Sequence, residues 1–280
     1  MSNKVIAISS YVCSGNVGNR TGMIILDTFQ IPTAYILTTH LSNHTQYKHL
    51  GGSGIETQQF SSIMDAMKAN KLDTEVKYIV GGYFPSASFV DETINRVNEL
   101  KERNNVYFFC DPILGDDGKM YTNPEVLESM KKLVKLADVI TPNATELSLL
   151  TGIEIKNVED GLKAAKMMHD EGIPIVLITS IDDGDDIMFV CSFKEQNENK
   201  KNFMIKVPRI KGRFTGVGDV LTYVVLAWIV NGLEIDHSVN RAITTLQAIL
   251  KKTEGMDEIN LIASIPDLRN TAEEFTLTYL

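Results

Sequence analysis

Short runs of β-branched and aromatic residues alternate along this chain with longer amphipathic segments, and this alternation constrains the fold more than any other feature. The pattern is typical of β-α-β units, which build a mostly parallel sheet with helices on both faces. We therefore predict an α/β fold. The predicted strands are at 5–9, 33–39, 76–81, 106–111, 139–141, 175–180, 187–193 and 203–207, and the best supported helices are at 55–69, 86–103, 158–171, 220–230 and 238–251.

The last three predicted strands depart from this alternation. Turn-rich segments at 182–185 and 195–202 leave no room for a helix between them, so these strands are expected to form an antiparallel edge. The sequence shows no internal repeat, low-complexity tract or proline-rich linker. Its 280 residues, 44% of them apolar, suit a single domain over 1–280.

Composition excludes several classes of function. The formal net charge of -9 argues against a nucleic-acid partner, because proteins that bind polyphosphate chains normally present a basic face. The apolar runs fall short of the roughly 20 residues that a membrane helix needs, and the strand-like N-terminus lacks a signal-peptide core. Three scattered cysteines support neither a disulfide framework nor a zinc knuckle. We expect a cytoplasmic protein with no membrane partner.

The motif at 214–219, directly before the apolar run Val220 to Val230, indicates an anion site. Two glycines, Gly216 and Gly218, let backbone N–H groups approach an anionic ligand, and the following helix start adds unpaired donors and a positive dipole end. Asp219, in the first turn, could accept a proton from a hydroxyl that attacks a phosphate. A plain glycine turn before a buried helix would have the same sequence pattern, so other motifs must decide whether this segment binds an anion.

Polar residues follow six of the predicted strands at their carboxyl ends, where ligands bind in open parallel sheets. We expect them to share one rim of the sheet. They are Ser10, the segment 40–47, Gly82 with Tyr83, Asp111, the segment 141–146, and Thr179 with Ser180.

Two acidic segments on this rim are candidate magnesium sites. Asp111 and Asp116 offer the carboxylate oxygens that Mg²⁺ prefers, although an Asp-Pro strand end followed by a solvated turn explains them equally well. Further along, Thr141 is predicted to cap a helix whose first residue is Pro142. That places Asn143 and Glu146 on one helical face, suited to hold a hydrated magnesium beside a nucleotide.

Together these segments resemble the ribokinase-like superfamily and, within it, the pyridoxal kinases, over essentially the whole chain. The most specific match is the segment Ser42-Asn43-His44-Thr45-Gln46-Tyr47, which follows the family pattern SNHTxY. In family order and spacing come Cys110-Asp111-Pro112 with Gly115-Asp116, Met120-Tyr121, Thr141-Pro142-Asn143 with Glu146, and Gly216-Val217-Gly218-Asp219.

The resemblance implies a ribokinase-like fold, a homodimer, and ATP-dependent phosphorylation of the 5′-hydroxyl of pyridoxal, with pyridoxine and pyridoxamine as further substrates. It implies that Asp219 is the catalytic base and that the N–H groups of Gly216, Val217 and Gly218 form the anion hole. The implied vitamer pocket consists of Ser10, Val17, His44, Thr45, Tyr83 and Asp219. The implied ATP site consists of Asp111, Asp116, Tyr121, Asn143, Glu146, Thr179, Ser180, Phe214, Gly216 and Gly218.

The resemblance also implies two cations. Mg²⁺ is assigned to Asp111 and Glu146, and K⁺ or another monovalent cation to Thr141 and Thr179 with Asp111. The chain departs from the family at Ser9-Ser10-Tyr11, where Gln-Ser-His is usual, which leaves the preference among vitamers open. A hydroxymethylpyrimidine kinase of thiamin synthesis and a non-catalytic pyridoxal phosphate carrier remain as alternatives.

Overall fold

The computed structural model describes residues 3–196, 200–212, 214–253, 255–256 and 258–280. Its strands are β1 (Lys4–Val12), β2 (Thr33–Leu41), β3 (Gly52–Gly54), β4 (Val76–Gly81), β5 (Tyr107–Cys110), β6 (Gly115–Asp116), β7 (Lys119–Met120), β8 (Val139–Ile140), β9 (Ile175–Asp183), β10 (Asp186–Phe193), β11 (Phe203–Pro208) and β12 (Thr278–Tyr279). Its helices are α1 (Gly18–Thr28), α2 (Thr57–Ala69), α3 (Ala87–Asn104), α4 (Pro124–Leu133), α5 (Ala144–Thr151), α6 (Val158–Asp170), α7 (Val217–Val230), α8 (Ile235–Thr253) and α9 (Ile265–Leu268).

The described residues form one ten-stranded sheet in the order β12-β11-β10-β9-β8-β5-β4-β1-β2-β3. The six strands from β2 to β9 in this order pair in parallel, and β3, β10, β11 and β12 add antiparallel edges. A separate two-stranded hairpin, β6–β7, lies beyond the end of β5. These findings confirm the predicted α/β class and the antiparallel edge.

Each face of the sheet carries its own apolar core. On one face, alternate β1 residues such as Val5 and Ala7 pack against α1, α7 and α8. On the other face, Ile6 and Ile8 pack against α2 to α6. Such alternation is expected of a strand buried on both sides. Helix α7 is apolar around nearly its whole circumference and is buried along most of its length.

The short elements are where the sequence predictions fell short. Strand β3 consists of three exposed residues with no apolar side chain, so no hydrophobic alternation could reveal it. Strand β9 continues to Asp183 rather than ending at Ser180, because its acidic end pairs with the start of β10, where Asp183 lies opposite Asp186. Lys206 of β11 forms ion pairs with both of these carboxylates. The predicted turn segment 195–202 lies partly outside the described residues, which omit 197–199.

Across the described ranges, the helices are all too short or too polar to span a bilayer.

Candidate active site

The candidate site lies where the sheet order reverses between β1 and β4, the place at which open α/β sheets bind ligands. Backbone packing there is very close. A Cβ on Gly18 would lie 2.3 Å from the Ser10 carbonyl oxygen and 2.4 Å from Ser10 Oγ. Gly18 has a φ of 53° and begins α1. The first turn of α1 therefore lies directly against Ser10 at the end of β1.

Asp219 occupies the first turn of α7, as the sequence predicted. The cap of this helix is Gly216, which has a φ of 88° and no side chain to satisfy the first N–H groups. A Cβ at Gly216 would lie 2.3 Å from the Asn16 carbonyl oxygen and 3.3 Å from Val17 Cγ1. The glycine loop is thus held against the β1–α1 loop, and the open helix start provides an anion-binding arrangement.

Desolvation raises the pKa of Asp219 to about 6, although a hydrogen bond from the Gly18 backbone N–H partly offsets the effect. The same N–H group therefore joins the base candidate of α7 to the start of α1. A carboxyl group with a pKa near neutrality can both accept and release a proton.

Asp111 and Glu146 are buried carboxylates close enough to influence each other. Burial raises the pKa of Asp111 well above its usual range, and the charge of Asp219 adds to the effect. Burial also raises the pKa of Glu146, with a further contribution from the charge of Asp111. Burial and mutual repulsion therefore oppose the ionisation of these neighbouring carboxyl groups, and a bound cation would relieve the repulsion and favour their charged forms.

Two buried hydroxyl groups lead to Asp111. Thr222 Oγ1 donates to Asp111 Oδ2 over 3.3 Å, and Thr141 and Thr222 share a hydroxyl hydrogen bond of 2.9 Å. Since Thr222 uses its single hydroxyl proton to donate to Asp111, it must receive the other bond from Thr141. Thr222 was missed in the sequence, where it was hidden inside the apolar run of α7.

The predicted cap of the α5 helix was wrong. The N-cap is Asn143 rather than Thr141, and Pro142 precedes the helix. Asn143 Oδ1 accepts from the Glu146 N–H at 2.9 Å, while Glu146 Oε2 accepts from the Asn143 N–H at 2.9 Å. Asn at a cap with Glu three residues later is a capping box, and this explains both residues locally. Glu146 Oε1 also accepts from Leu114 N–H at 3.1 Å.

The hairpin β6–β7 extends this acidic region. Asn143 Nδ2 donates to the Gly115 carbonyl oxygen over 2.9 Å, which fixes the hairpin to the start of α5. Asp116 is exposed on β6, and Tyr121, directly after β7, lies within electrostatic range of Glu146, Asp111, Asp116 and Asp219. The turn between β6 and β7 was predicted, but its two flanking strands were not.

The remaining nucleotide candidates approach the same rim from β9 and from the loop before α7. Thr179 N–H donates to the Pro142 carbonyl oxygen at 2.9 Å, so Thr179 and Ser180 lie beside the start of α5. Both lie within β9 rather than after it. Phe214 is half-buried and packs against the core beneath α7.

The vitamer candidates surround the ends of β1, β2 and β4. Tyr83 N–H donates to Ser9 Oγ at 3.3 Å, and its carbonyl oxygen accepts from Thr38 Oγ1 at 2.7 Å. His44 is buried and Thr45 exposed on the loop after β2. The structure thus brings Ser10, Val17 and Asp219 together through Gly18 and Gly216. The His44 ring instead contacts the side-chain carboxylate of Glu258, a partner that no sequence pattern indicated.

Comparisons with known proteins agree with this architecture. The family model of phosphomethylpyrimidine kinase matches residues 26–261. Pyridoxal kinase of Arabidopsis thaliana is 33% identical over 287 residues, which cover 97% of this chain and 93% of the plant protein. The crystal structure of pyridoxal kinase from Entamoeba histolytica aligns with a TM-score of 0.97 and 58% identity over 100% of both chains. Pyridoxal kinase from Leishmania donovani, in complex with ADP and pyridoxamine, aligns with a TM-score of 0.93 and 30% identity over 99% of both chains.

Proposed function

The chain belongs to the pyridoxal kinase family and phosphorylates vitamin B6 vitamers with ATP, and we propose that Asp219 is the base that activates the vitamer hydroxyl. The observation that carries the assignment of the base is the position of Asp219 in the first turn of α7, behind the open glycine start and hydrogen-bonded to the Gly18 N–H. Burial, which raises its pKa to about 6, supports the assignment. The base of such a reaction works best with a pKa near the operating pH. The bound ADP and pyridoxamine of the Leishmania relative support ATP and a B6 vitamer as the two substrates.

In the proposed reaction, the 5′-hydroxyl oxygen of the vitamer attacks the γ-phosphorus of ATP. The new O–P bond forms as the bond from phosphorus to the β–γ bridging oxygen breaks, and that electron pair leaves with ADP. Asp219 takes the hydroxyl proton and later releases it to solvent. The N–H groups of Gly216, Val217 and Gly218 stabilise charge on the transferring phosphoryl oxygens.

The pocket roles follow from the same arrangement. Ser10 and Val17, packed against the start of α1 and the glycine loop, would contact the pyridine ring and its substituents. His44, Thr45 and Tyr83 would complete the vitamer pocket from the ends of β2 and β4. On the nucleotide side we assign Asp111, Asp116, Tyr121, Asn143, Glu146, Thr179, Ser180 and Phe214, together with Gly216 and Gly218.

Asp111 and Glu146 fit a magnesium ion that accompanies ATP, because they are buried oxygen donors whose mutual repulsion a cation would relieve. No third acidic, histidine or cysteine side chain joins them as a metal cluster in the described part of the chain. Mg²⁺ suits such a site, since it is usually held by one or two carboxylates plus substrate phosphates and water. When bound, it would neutralise phosphate charge.

We also propose a monovalent cation near Thr141 and Thr179, with Asp111 as its charged neighbour.

A homodimer in the cytoplasm, with residues 1–280 acting as one kinase domain, completes the proposal. The cysteines Cys13, Cys110 and Cys191 are free thiols, as expected in a reducing compartment. The single main sheet running through the described residues supports one domain.

A coupled ADP-release assay tests this proposal. Wild-type protein and Asp219→Asn are compared with pyridoxal, pyridoxine, pyridoxamine and hydroxymethylpyrimidine, each with Mg-ATP. We expect turnover with the B6 vitamers and a loss of about 10²-fold or more in Asp219→Asn. Preferential turnover of hydroxymethylpyrimidine would favour the thiamin alternative, and full turnover by folded Asp219→Asn would remove Asp219 as the base.

A further inference from the structure

Two chain segments that are distant in sequence meet beside the loop 42–51, which we call the vitamer loop. Glu258 lies in the segment after α8, and its Oε1 is 2.7 Å from His44 Nε2. Tyr47 donates its hydroxyl proton to the same oxygen over 2.8 Å. The His44 and Tyr47 rings also contact each other, with centroids 4.8 Å apart. One carboxylate oxygen thus holds two rings of the vitamer loop.

The β1–α1 loop completes this junction. Gly15 has a φ of 101°, and a Cβ there would lie 3.2 Å from Glu258 Oε1 and 3.3 Å from His44 Cδ2. The next residue, Asn16, donates from Nδ2 to the Ile259 carbonyl oxygen over 2.9 Å. Because Asn16 also packs against Gly216, the same loop reaches both Glu258 and the anion hole.

The hydrogen bonds fix the tautomer of His44. A carboxylate oxygen only accepts, so His44 Nε2 must carry the proton that bridges to Glu258. On the opposite side of the ring, the Gln46 backbone N–H donates to Nδ1 at 3.4 Å, so Nδ1 must accept. Both ring nitrogens therefore have partners within the protein.

We propose that Glu258 is a positioning residue for the vitamer loop: it orients His44 and Tyr47 so that the loop encloses the B6 ring. This inference rests on the proposed function, because the orientation of His44 matters to the reaction only if the loop borders the vitamer. Glu258 touches neither ATP nor the reacting hydroxyl in the proposed arrangement, so it acts through His44. Its effect should therefore appear in vitamer binding rather than in nucleotide binding.

The surroundings of Glu258 allow this role to be tested without loss of the fold. Glu258 is 28% exposed and borders an open cavity of about 380 Å³, lined also by Tyr47, Met256, Ile259 and Asn260. Removing the carboxylate enlarges an existing opening rather than creating a sealed void in either apolar core. Glu75, an exposed carboxylate before β4, provides a matched control.

The test compares Glu258→Ala, Glu258→Gln and Glu75→Ala by steady-state kinetics with pyridoxal and Mg-ATP. We expect Glu258→Ala to raise the KM for pyridoxal about tenfold, with the KM for ATP and kcat near wild type. Glu258→Gln retains an oxygen that accepts from His44 and should restore most of the affinity. Glu75→Ala should match wild type. An unchanged pyridoxal KM in Glu258→Ala, or equal defects in the Ala and Gln variants, would overturn the proposal.

A second measurement does not depend on activity, and its wild-type arm does not depend on the folding of Glu258→Ala. Two-bond ¹H–¹⁵N spectra of histidine-labelled wild-type protein report the His44 tautomer, with His44→Gln used to assign the signal. We expect a stable Nε2–H tautomer in wild type and Glu258→Gln, and averaged tautomers in Glu258→Ala. An Nδ1–H tautomer in wild type contradicts the role of Glu258. Wild-type protein that consumes no ATP with any vitamer would instead refute the proposed function.

Discussion

The backbone N–H of Gly18 donates a hydrogen bond to the carboxylate of Asp219, and this bond connects two helix starts across the end of β1. Desolvation favours the protonated form of Asp219, whereas the Gly18 N–H favours the ionised form. The balance places the pKa near 6, where a carboxyl group is mostly ionised at neutral pH but still basic enough to take a proton.

The rate of turnover should depend on the ionisation of Asp219. With a pKa of about 6, protonation removes the base as the pH falls, so kcat should drop about tenfold per pH unit below that value. Initial rates at saturating pyridoxal and Mg-ATP between pH 5 and pH 8 measure this dependence. Samples returned to pH 7.5 should recover full activity, which controls for acid unfolding. A kcat that stays constant down to pH 5 would contradict the role of Asp219.

The same carboxylate should lower stability at neutral pH. Its folded pKa of about 6 exceeds the reference value of 3.8, so the protonated group contributes fully to stability below pH 3.8. That contribution is lost as the pH rises through 6, because the buried group must then ionise. The Asp219→Asn variant cannot ionise and so does not lose this contribution. The excess of its free energy of unfolding over that of wild type should therefore be roughly 2 kcal/mol larger at pH 7.5 than at pH 3.5. Urea unfolding at both pH values measures the difference.

Asp91, an exposed carboxylate on α3, supplies the control for this measurement. Asp91→Asn should change stability by less than about 0.5 kcal/mol at either pH. A variant that loses catalysis while gaining stability is typical of a base kept in a desolvated place for its function. Equal effects of Asp219→Asn at both pH values would argue against the raised pKa.

Gly18 should tolerate no side chain. Its left-handed φ of 53° penalises any Cβ, and that Cβ would also lie 2.3 Å from the Ser10 carbonyl oxygen. Gly184 has a similar φ of 64° but open space around the Cβ position, so Gly184→Ala isolates the backbone penalty. We expect Gly184→Ala to cost about 1 kcal/mol and Gly18→Ala roughly 3 kcal/mol or more. Thermal unfolding measures the loss of stability in both variants. Equal losses would show that the contact with Ser10 adds nothing to the backbone penalty at Gly18.

The architecture was predictable because it depends on periodicity. The central parts of β4 and β9, at 79–80 and 175–178, are apolar and mostly β-branched, and they are buried as expected in a parallel sheet covered on both faces. The glycines before Asp219 were also recognisable in the sequence as an anion-binding motif, because a helix start is open to a ligand only where no side chain covers its N–H groups. The helix at 220–230 was found for the same reason, because few structures other than a buried helix can accommodate so long an apolar run.

What the sequence could not show were contacts between distant segments. Thr222 looks like an ordinary residue of an apolar helix until α7 lies beside β5, where its hydroxyl meets Asp111. Glu258 lies 214 positions from His44, and no local pattern connects them. The cap of α5 was misassigned for a related reason, since Thr141 and Asn143 are both good caps and the Glu146 side chain decides between them.

The hydroxyl groups leading to Asp111 should affect the metal rather than the vitamer. Thr222→Val removes the donor that lowers the pKa of Asp111, so this carboxyl holds its proton more strongly and attracts a cation less. We expect the Mg²⁺ concentration for half-maximal activity to rise roughly tenfold, with the KM for pyridoxal unchanged. Thr93→Val is the matched control, because that buried hydroxyl donates to the Phe89 carbonyl oxygen of its own helix rather than to a carboxylate. If both valine variants require the same Mg²⁺ concentration as wild type, Asp111 does not hold the metal, and the negative charge around Asp219 serves the phosphates in another way.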